Sequence, residues 1–375
     1  MAAKVNVALV GLGFGRSFLP IYREHPAVGK VGVCDSDPQR LSEIARAYGA
    51  DDTFASLDEV LADDSYDAVH LLTPVPDHAR GALAVLEAGR HCACAVPMAT
   101  SLNDIDAILA AQQSSGTNYM MMETSVYGRE FLYVKQLCDS GELGPLTFLR
   151  GAHLQDLIGF PTYWWGFPPM HYVTHALSPL LALADARAQK VHCFGSGRLP
   201  PELIRDYDNN FGLETAIFRL DKDDLAAEVT MSFFQTARGQ YQESFAVYGQ
   251  RLGFEFEQLA GEQPVLFEML NVPAGGRGRP GRPTRLELPD RTDLLPAQIA
   301  RFTRQATFRG PRGPIEVDAH HGGSHPHLVH EFLSSVIESR PPAVDPLIAA
   351  RWTAPGICAH QSAQRGGEAV SIPVF

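Results

Sequence analysis

Residues 5–18 read VNVALVGLGFGRSF. Val5 to Val10 is an unbroken apolar run rich in β-branched residues, the pattern of a strand buried on both faces. Gly11, Gly13 and Gly15 follow at the point where that strand must turn into a helix. In such a turn Gly11 makes the tight bend, Gly13 lets the backbone approach a pyrophosphate at the helix N-terminus, and Phe14 and Gly15 complete the phosphate-facing stretch. Asp35 closes the next apolar run, in place to accept a hydrogen bond from an adenosine ribose. An acid there disfavours a 2′-phosphate, so NAD is expected ahead of NADP, with Arg16 and Arg40 arguing the other way. Arg16 also stands where a third small residue usually permits close helix packing. The alternative is a glycine-rich turn that binds something else.

Outward from this turn, short apolar runs alternate with helical patterns, the signature of βαβ units around a parallel sheet. Strands are expected at Val5–Val10, Val31–Cys34, Thr53–Phe54, Ala68–Leu72, His91–Ala95 and Tyr119–Glu123, with helices at Gly15–Glu24, Pro38–Tyr48, Asp77–Ala88 and Leu102–Ser115. These make an α/β Rossmann domain over residues 1–125. Beyond it, Thr147–His153, Lys190–Gly195, Glu214–Arg219, Ala226–Gln235 and Gln242–Tyr248 are β-rich without a helix at each step. Residues 126–375 are therefore expected to form an α+β domain on a largely antiparallel open sheet, for substrate and oligomer contacts. Ala274–Pro283, with Arg277, Arg279 and Arg282 among Gly and Pro, reads as a surface loop. From Pro326 the pattern is helical again, capped by Ser324 or His325, with a last helix near Leu347–Gln364, and these helices are candidates to pack back on the first domain.

A chain of 375 residues with 45% apolar and 20% charged residues has the makings of two globular domains. Its net charge of -12 argues against a nucleic-acid partner. The six cysteines have neither C-x-x-C spacing nor the density of a disulfide scaffold, no apolar run approaches a membrane span, and the start has no leader pattern, so a soluble cytoplasmic protein is expected.

In combination, GLGFG at 11–15, Asp35, the Thr73-Pro74 turn with His78, GRHCACAVPMA at 89–99 and a His-containing helix at 170–176 resemble the glucose-fructose oxidoreductase and inositol dehydrogenase family, Gfo/Idh/MocA. The closing segment His327–Phe375, with RPPAVD and GGEAVSIP, resembles that family's C-terminus. The resemblance implies a nicotinamide held in the first domain by the glycine turn, Asp35, Thr73, Pro74, His78 and Pro97. It also implies a sugar or cyclitol bound between that domain and the second sheet, and a homodimer or homotetramer formed through open sheets. One departure is decisive for chemistry. Where the family carries Glu-Lys-Pro, with the lysine beside the carbinol, this chain has Ala95-Val96-Pro97. Valine transfers no proton, so hydride chemistry needs another acid/base. In the helix that normally shows Asp-x-x-x-His, His175 matches the histidine and His171 the aspartate.

On one helix face, positions i and i+4 would bring His171 and His175 to about 6 Å, suited to a proton relay or to a shared divalent metal such as zinc. An HEXXH site is excluded because Tyr172 takes the glutamate position. His320, His321, His325, His327 and His330 crowd a glycine-containing bend before a helix. His321 is a candidate third ligand with His171 and His175. His325 and His327 are alternatively candidates to hydrogen-bond sugar hydroxyls. Trp164, Trp165 and Tyr172 form an aromatic wall suited to a polyol or glycoside, or else plain core. Glu123 and Arg129 lie at the crossover after the sixth strand, as substrate or base groups or as an ion pair. The leading expectation is an NAD-dependent oxidoreductase acting on a sugar, cyclitol or glycoside, with His175, His171 and Glu123 as catalytic candidates. A redox-neutral lyase, hydrolase or epimerase, with internally cycling NAD or a His-bound metal, is the second, and a sugar sensor the third.

Overall fold

The computed structural model describes residues 4–205, 207–222, 224–234, 242–259 and 261–375. It falls into two compact units: residues 1–128 with 290–350, and residues 129–289 with 351–375. The segment 290–350, which contiguity alone assigned to the second domain, thus groups with the first.

The first unit is built on β1 (Val5–Val10), β2 (Val28–Cys34), β3 (Asp52–Phe54), β4 (Ala68–Leu71), β5 (His91–Cys94) and β6 (Tyr119–Met121), in the order β3-β2-β1-β4-β5-β6. Every pairing is parallel. Val7, Leu9, Val33, Ala68, Leu71 and Cys92 are buried, as strands covered on both faces require. The helices begin at readable caps. Asp37 accepts from the N–H groups of Gln39 and Arg40, Ser56 from that of Glu59, and Ser101 from that of Asp104.

The helix expected over Gly15–Glu24 is in fact two pieces, Leu12–Gly15 and Leu19–Glu24, the second opening with Pro20 in its first turn. Proline lacks the N–H that would continue the first piece, so the chain restarts there. Within the same unit, the helix His325–Ile337 packs against Leu19–Glu24 and β1. Asn118 Nδ2 donates to Ser335 Oγ at 3.0 Å and to the Arg340 carbonyl at 2.9 Å. A hairpin, Ala306–Gly310 with Gly313–Val317, completes it.

The second unit carries a nine-stranded sheet. Its strands are β7 (Leu146–Leu154), β8 (Ala188–Ser196), β9 (Leu213–Leu220), β10 (Ala226–Ser232), β11 (Gln242–Gly249), β12 (Leu252–Glu255), β13 (Val265–Met269), β14 (Gly281–Arg285) and the short Val370–Ser371. The order is β14-β13-β12-β11-β7-β10-β9-β8, then Val370–Ser371, and among the described residues only β7 and β10 pair in parallel. Gln235, the expected end of one strand, lies outside the described residues. The loop expected over Ala274–Pro283 gives way to β14 from Gly281, an exposed edge strand where Pro283 forfeits no ladder bond on its open side. Along β9, Glu214, Ala216, Phe218 and Leu220 are buried while Ile217 and Arg219 face outward, so one sheet face is covered and the other open. The helix Thr174–Ala184 lies on β7, β10 and β11. Gly151 of β7 makes this possible, because a Cβ there would collide with the Ala176 carbonyl. No helix among the described residues is long and apolar enough to cross a membrane.

Candidate active site

At the end of β1 the chain turns at Gly11, whose φ of 95° suits glycine and whose Cβ, if present, would stand 2.5 Å from the Leu72 carbonyl oxygen. A Cβ at Gly13 would meet no protein atom within 4 Å, so the turn is tight on its inner side and open over Gly13. Gly15 is buried against the Leu72 side chain. Asp35 is almost fully buried and heavily used. Its Oδ2 accepts from the Leu12 N–H at 2.8 Å, its Oδ1 from the Asp37 N–H at 2.9 Å, and Arg40 Nη1 donates to both oxygens at 3.1 and 3.2 Å. Asp35 therefore ties the glycine turn to β2, and the half-exposed Arg40 covers it.

After β4, the Thr73 hydroxyl is buried without a hydrogen-bond partner, and Pro74 leads into the turn Val75–Asp77. The His78 ring spans two loops, with Nδ1 2.8 Å from the Pro97 carbonyl and Nε2 2.9 Å from the Thr73 carbonyl. Burial lowers its pKa, and the two carbonyls oppose that shift. Val96 is buried. The open space over Gly13 and the unpartnered Thr73 hydroxyl fit a dinucleotide lying along these strand ends.

The second unit gathers a different chemistry. His175, in the first turn of Thr174–Ala184, is buried, with Nδ1 3.7 Å from Glu243 Oε1. His153 stacks on the His175 ring at 5.4 Å between centroids, and Tyr172 meets it edge-on at 4.8 Å. Glu243 of β11 and His153 of β7 are register partners, so the sheet delivers both to the same place. Trp164 packs on Phe167, Tyr172 and Phe233. Trp165 turns to Arg205, whose guanidinium lies 4.8 Å from its ring, and its indole N–H is buried without a partner. Arg129 opens the helix Arg129–Asp139. Beside it, burial pushes the Glu130 carboxyl up to about 7, with Arg129 opposing and Glu257 and Glu243 adding to the rise.

His171 does not share a helix face with His175. It belongs to the 3-10 turn Pro169–Tyr172, which ends before the helix begins, and that turn sends consecutive side chains to different partners. Tyr172 goes to His175, and His171 meets His360 at 5.1 Å. His360 Nδ1 is 2.7 Å from Oε1 of the wholly buried Glu214, whose Oε2 accepts from the Met170 N–H at 2.8 Å. Burial, and then His360, lower the His171 pKa to about 3, so this ring is neutral at neutral pH and a poor proton acceptor.

The remaining candidates belong to the first unit. Glu123 is buried and its Oε1 accepts from the N–H and Oγ–H of Ser125. His325 is buried in a stack on Phe18 at 4.1 Å, and His327 Nε2 is 3.2 Å from the Asp290 carbonyl, so neither presents itself as a sugar ligand. His321 meets Phe14 edge-on at 6.1 Å. Of the expected metal trio, His321 belongs to one unit and His171 and His175 to the other. Among the described residues, neither unit by itself brings three His, Cys, Asp or Glu ligand atoms together. His153, Glu243, Glu214 and His360 escaped the sequence reading. They sit singly in strands or a helix, and only long-range pairing reveals them.

Residues 5–123 match the model of the oxidoreductase family with an NAD-binding Rossmann fold, Gfo/Idh/MocA. A 4-carboxy-2-hydroxymuconate-6-semialdehyde dehydrogenase of a Sphingobium species is 29% identical over 206 residues, spanning 53% of this chain and 64% of that protein. A glycosyl hydrolase family 109 protein of Saccharopolyspora erythraea is 24% identical over 408 aligned positions, spanning 99% and 83%. The chain thus matches less than two thirds of the first relative's length. Among solved structures, a levoglucosan dehydrogenase in complex with NADH and L-sorbose superimposes over 100% of both chains with a TM-score of 0.79 at 18% identity. The myo-inositol 2-dehydrogenase of Lactobacillus plantarum gives 0.71 at 16%, over 99% of this chain and 100% of that one. At these identities the likeness is one of fold. Residues 5–123 are thus similar to the NAD-binding Rossmann domain of the Gfo/Idh/MocA oxidoreductases.

Proposed function

We propose that the protein is an NAD-dependent oxidoreductase acting on a carbinol of a sugar, cyclitol or glycoside, with His175 in the proton-transfer role of the family lysine. The observation that carries this reading is the pairing of buried His175 with the part-buried Glu243, a histidine backed by a carboxylate, in a chain that has Val96 where the resemblance leads one to expect lysine. The bound nicotinamide supplies hydride acceptance or donation at its C4. Gly11, Gly13, Phe14, Gly15, Thr73, Pro74, His78 and Pro97 shape its berth, with Asp35 and Arg40 at the ribose end. Glu243, its Oε1 3.7 Å from Nδ1, favours the imidazolium that forms when His175 takes the hydroxyl proton.

His171, held neutral, serves as a hydrogen-bonding group to hydroxyls and does not carry the proton. Trp164 and Tyr172 offer apolar faces to a sugar ring, and Trp165 and Arg129 are further candidate substrate groups. Glu123 is a secondary acid/base candidate. The six free thiols suit a reducing compartment, so the reading extends to a cytoplasmic location, and a homodimer or homotetramer is carried over from the family resemblance alone.

A redox-neutral reaction on a glycoside is the second reading, favoured by Val96 and by the relatives named glycosyl hydrolase family 109. Release and quantitation of NAD(H) and metal from the purified protein, followed by turnover with and without added NAD, separates the two. Net oxidation requires added NAD and changes nicotinamide absorbance. Redox-neutral turnover proceeds on retained cofactor, or on stoichiometric metal with loss of activity to a chelator.

A further inference from the structure

Arg16 is exposed and forms no ion pair among the described residues, although it stands in the glycine turn where a small residue is usual. Around the neighbouring Phe14 ring lie His321 at 6.1 Å and the buried His325 at 5.6 Å, and His320 is 5.8 Å from His325. The segment 320–325 therefore packs on the side chain of Phe14, the residue that follows Gly13. Its path is fixed by an unusual backbone. His321, Gly322 and Gly323 have φ of 48°, 61° and 80°, and Gly323 lies so close to the Thr303 carbonyl that no Cβ would fit. A histidine in the left-handed region is strained, and such strain persists where packing over-determines it.

We infer that Arg16, His320 and His321 form a cationic clamp for the diphosphate of the dinucleotide at the glycine turn. This rests on the NAD reading and deepens it. Three groups able to carry positive charge converge here. The groups facing His320 are His321, Asp318 and Arg16, and His325 and His70 lie behind them. Burial foremost, then His321 and Arg16, lower the His320 pKa, while Asp318 opposes. A diphosphate reverses that pressure, because an adjacent anion favours the imidazolium. Binding then takes up a proton, and affinity falls as pH rises.

Calorimetric titration of the cofactor-stripped protein with NADH, ADP and adenosine, at about pH 6 and about pH 8 and in buffers of different ionisation enthalpy, tests this. Wild-type protein is expected to bind ADP more weakly at the higher pH and to take up protons on binding. His320→Gln with His321→Gln is expected to weaken ADP and NADH about tenfold at the lower pH, abolish the proton uptake and leave adenosine unchanged. Arg16→Gln, an exposed change that disturbs no packing, is expected to weaken ADP several-fold at both pH values. ADP binding unchanged in both variants, or without proton uptake in the wild type, overturns the clamp while leaving the NAD reading intact. Wild-type protein that binds neither NADH nor NADPH removes both.

Discussion

His175 Nδ1 and Glu243 Oε1 stand 3.7 Å apart, which brings a buried helix residue and a part-buried strand residue into one group. No local motif joins them, and together they place an imidazole beside a carboxylate.

If this pair moves the proton, His175→Ala is expected to lower kcat/KM by about 10²-fold or more, the usual scale for losing a general acid/base. Glu243→Gln, which keeps the shape and removes the charge, is expected to cost less, and neither change to alter NADH affinity more than about twofold. Steady-state kinetics paired with NADH titration reads both. Equal losses of NADH affinity and of rate would point to misfolding of the unit.

The glycine turn gives a contrast within one loop. Gly11→Ala must place a Cβ 2.5 Å from the Leu72 carbonyl at φ 95°, and is expected to cost about 2 kcal/mol or more of stability. Gly13→Ala meets no protein atom, so the melting temperature should hold while NADH affinity falls at least about tenfold. Thermal melts and NADH titrations of the two variants check this.

Glu130 makes stability fall with pH. Its carboxyl, ordinarily near 4.5, is pushed up to about 7 by burial, so the folded unit favours the protonated form. That contribution is complete below about pH 4.5 and is lost as pH rises through about 7. Glu130→Gln is therefore expected to match wild type in acid and to be more stable above neutrality, by about 2–3 kcal/mol at most. Denaturant unfolding across that range reads the difference, and a gap that narrows as pH rises would contradict the assignment.

His360 and Glu214 hold the turn that carries His171 and Tyr172. Removing the ring in His360→Ala takes the partner of Oε1 from the wholly buried Glu214 and leaves Oε2 on the Met170 N–H, at an expected cost of about 1–3 kcal/mol. Adding Glu214→Gln should recover part of that loss, whereas His171→Ala alone should be milder. Chemical denaturation orders the three, and a harmless His360→Ala would remove the turn's anchor from consideration.

The first unit was legible because its decisions are local. Val5–Val10, three glycines and Asp35 each declare themselves within a few residues, and β1 to β6 follow in the expected order. Even there, Pro20 split a helix that periodicity ran together, and Asp35 proved to be held by its own chain. The second unit was legible only as a sheet. His175 was identified through a motif, but its partner Glu243 and neighbour His153 come from β11 and β7, whose register depends on the whole sheet. The pairing of His171 with His175 failed because helical spacing was assumed across Pro169–Tyr172, a turn that ends before the helix starts. The histidine-rich bend revealed its composition but not its neighbours, since Phe14 lies about three hundred residues earlier.

Hydride exchange assisted by His175 is tested most directly by adding a panel of sugars, cyclitols and glycosides to the NAD⁺-loaded protein and following nicotinamide absorbance in wild type and His175→Ala. A substrate-dependent rise in the wild type that disappears in the variant, with NAD affinity preserved, is the predicted result. Turnover without net absorbance change, or a variant as fast as the wild type, would contradict it.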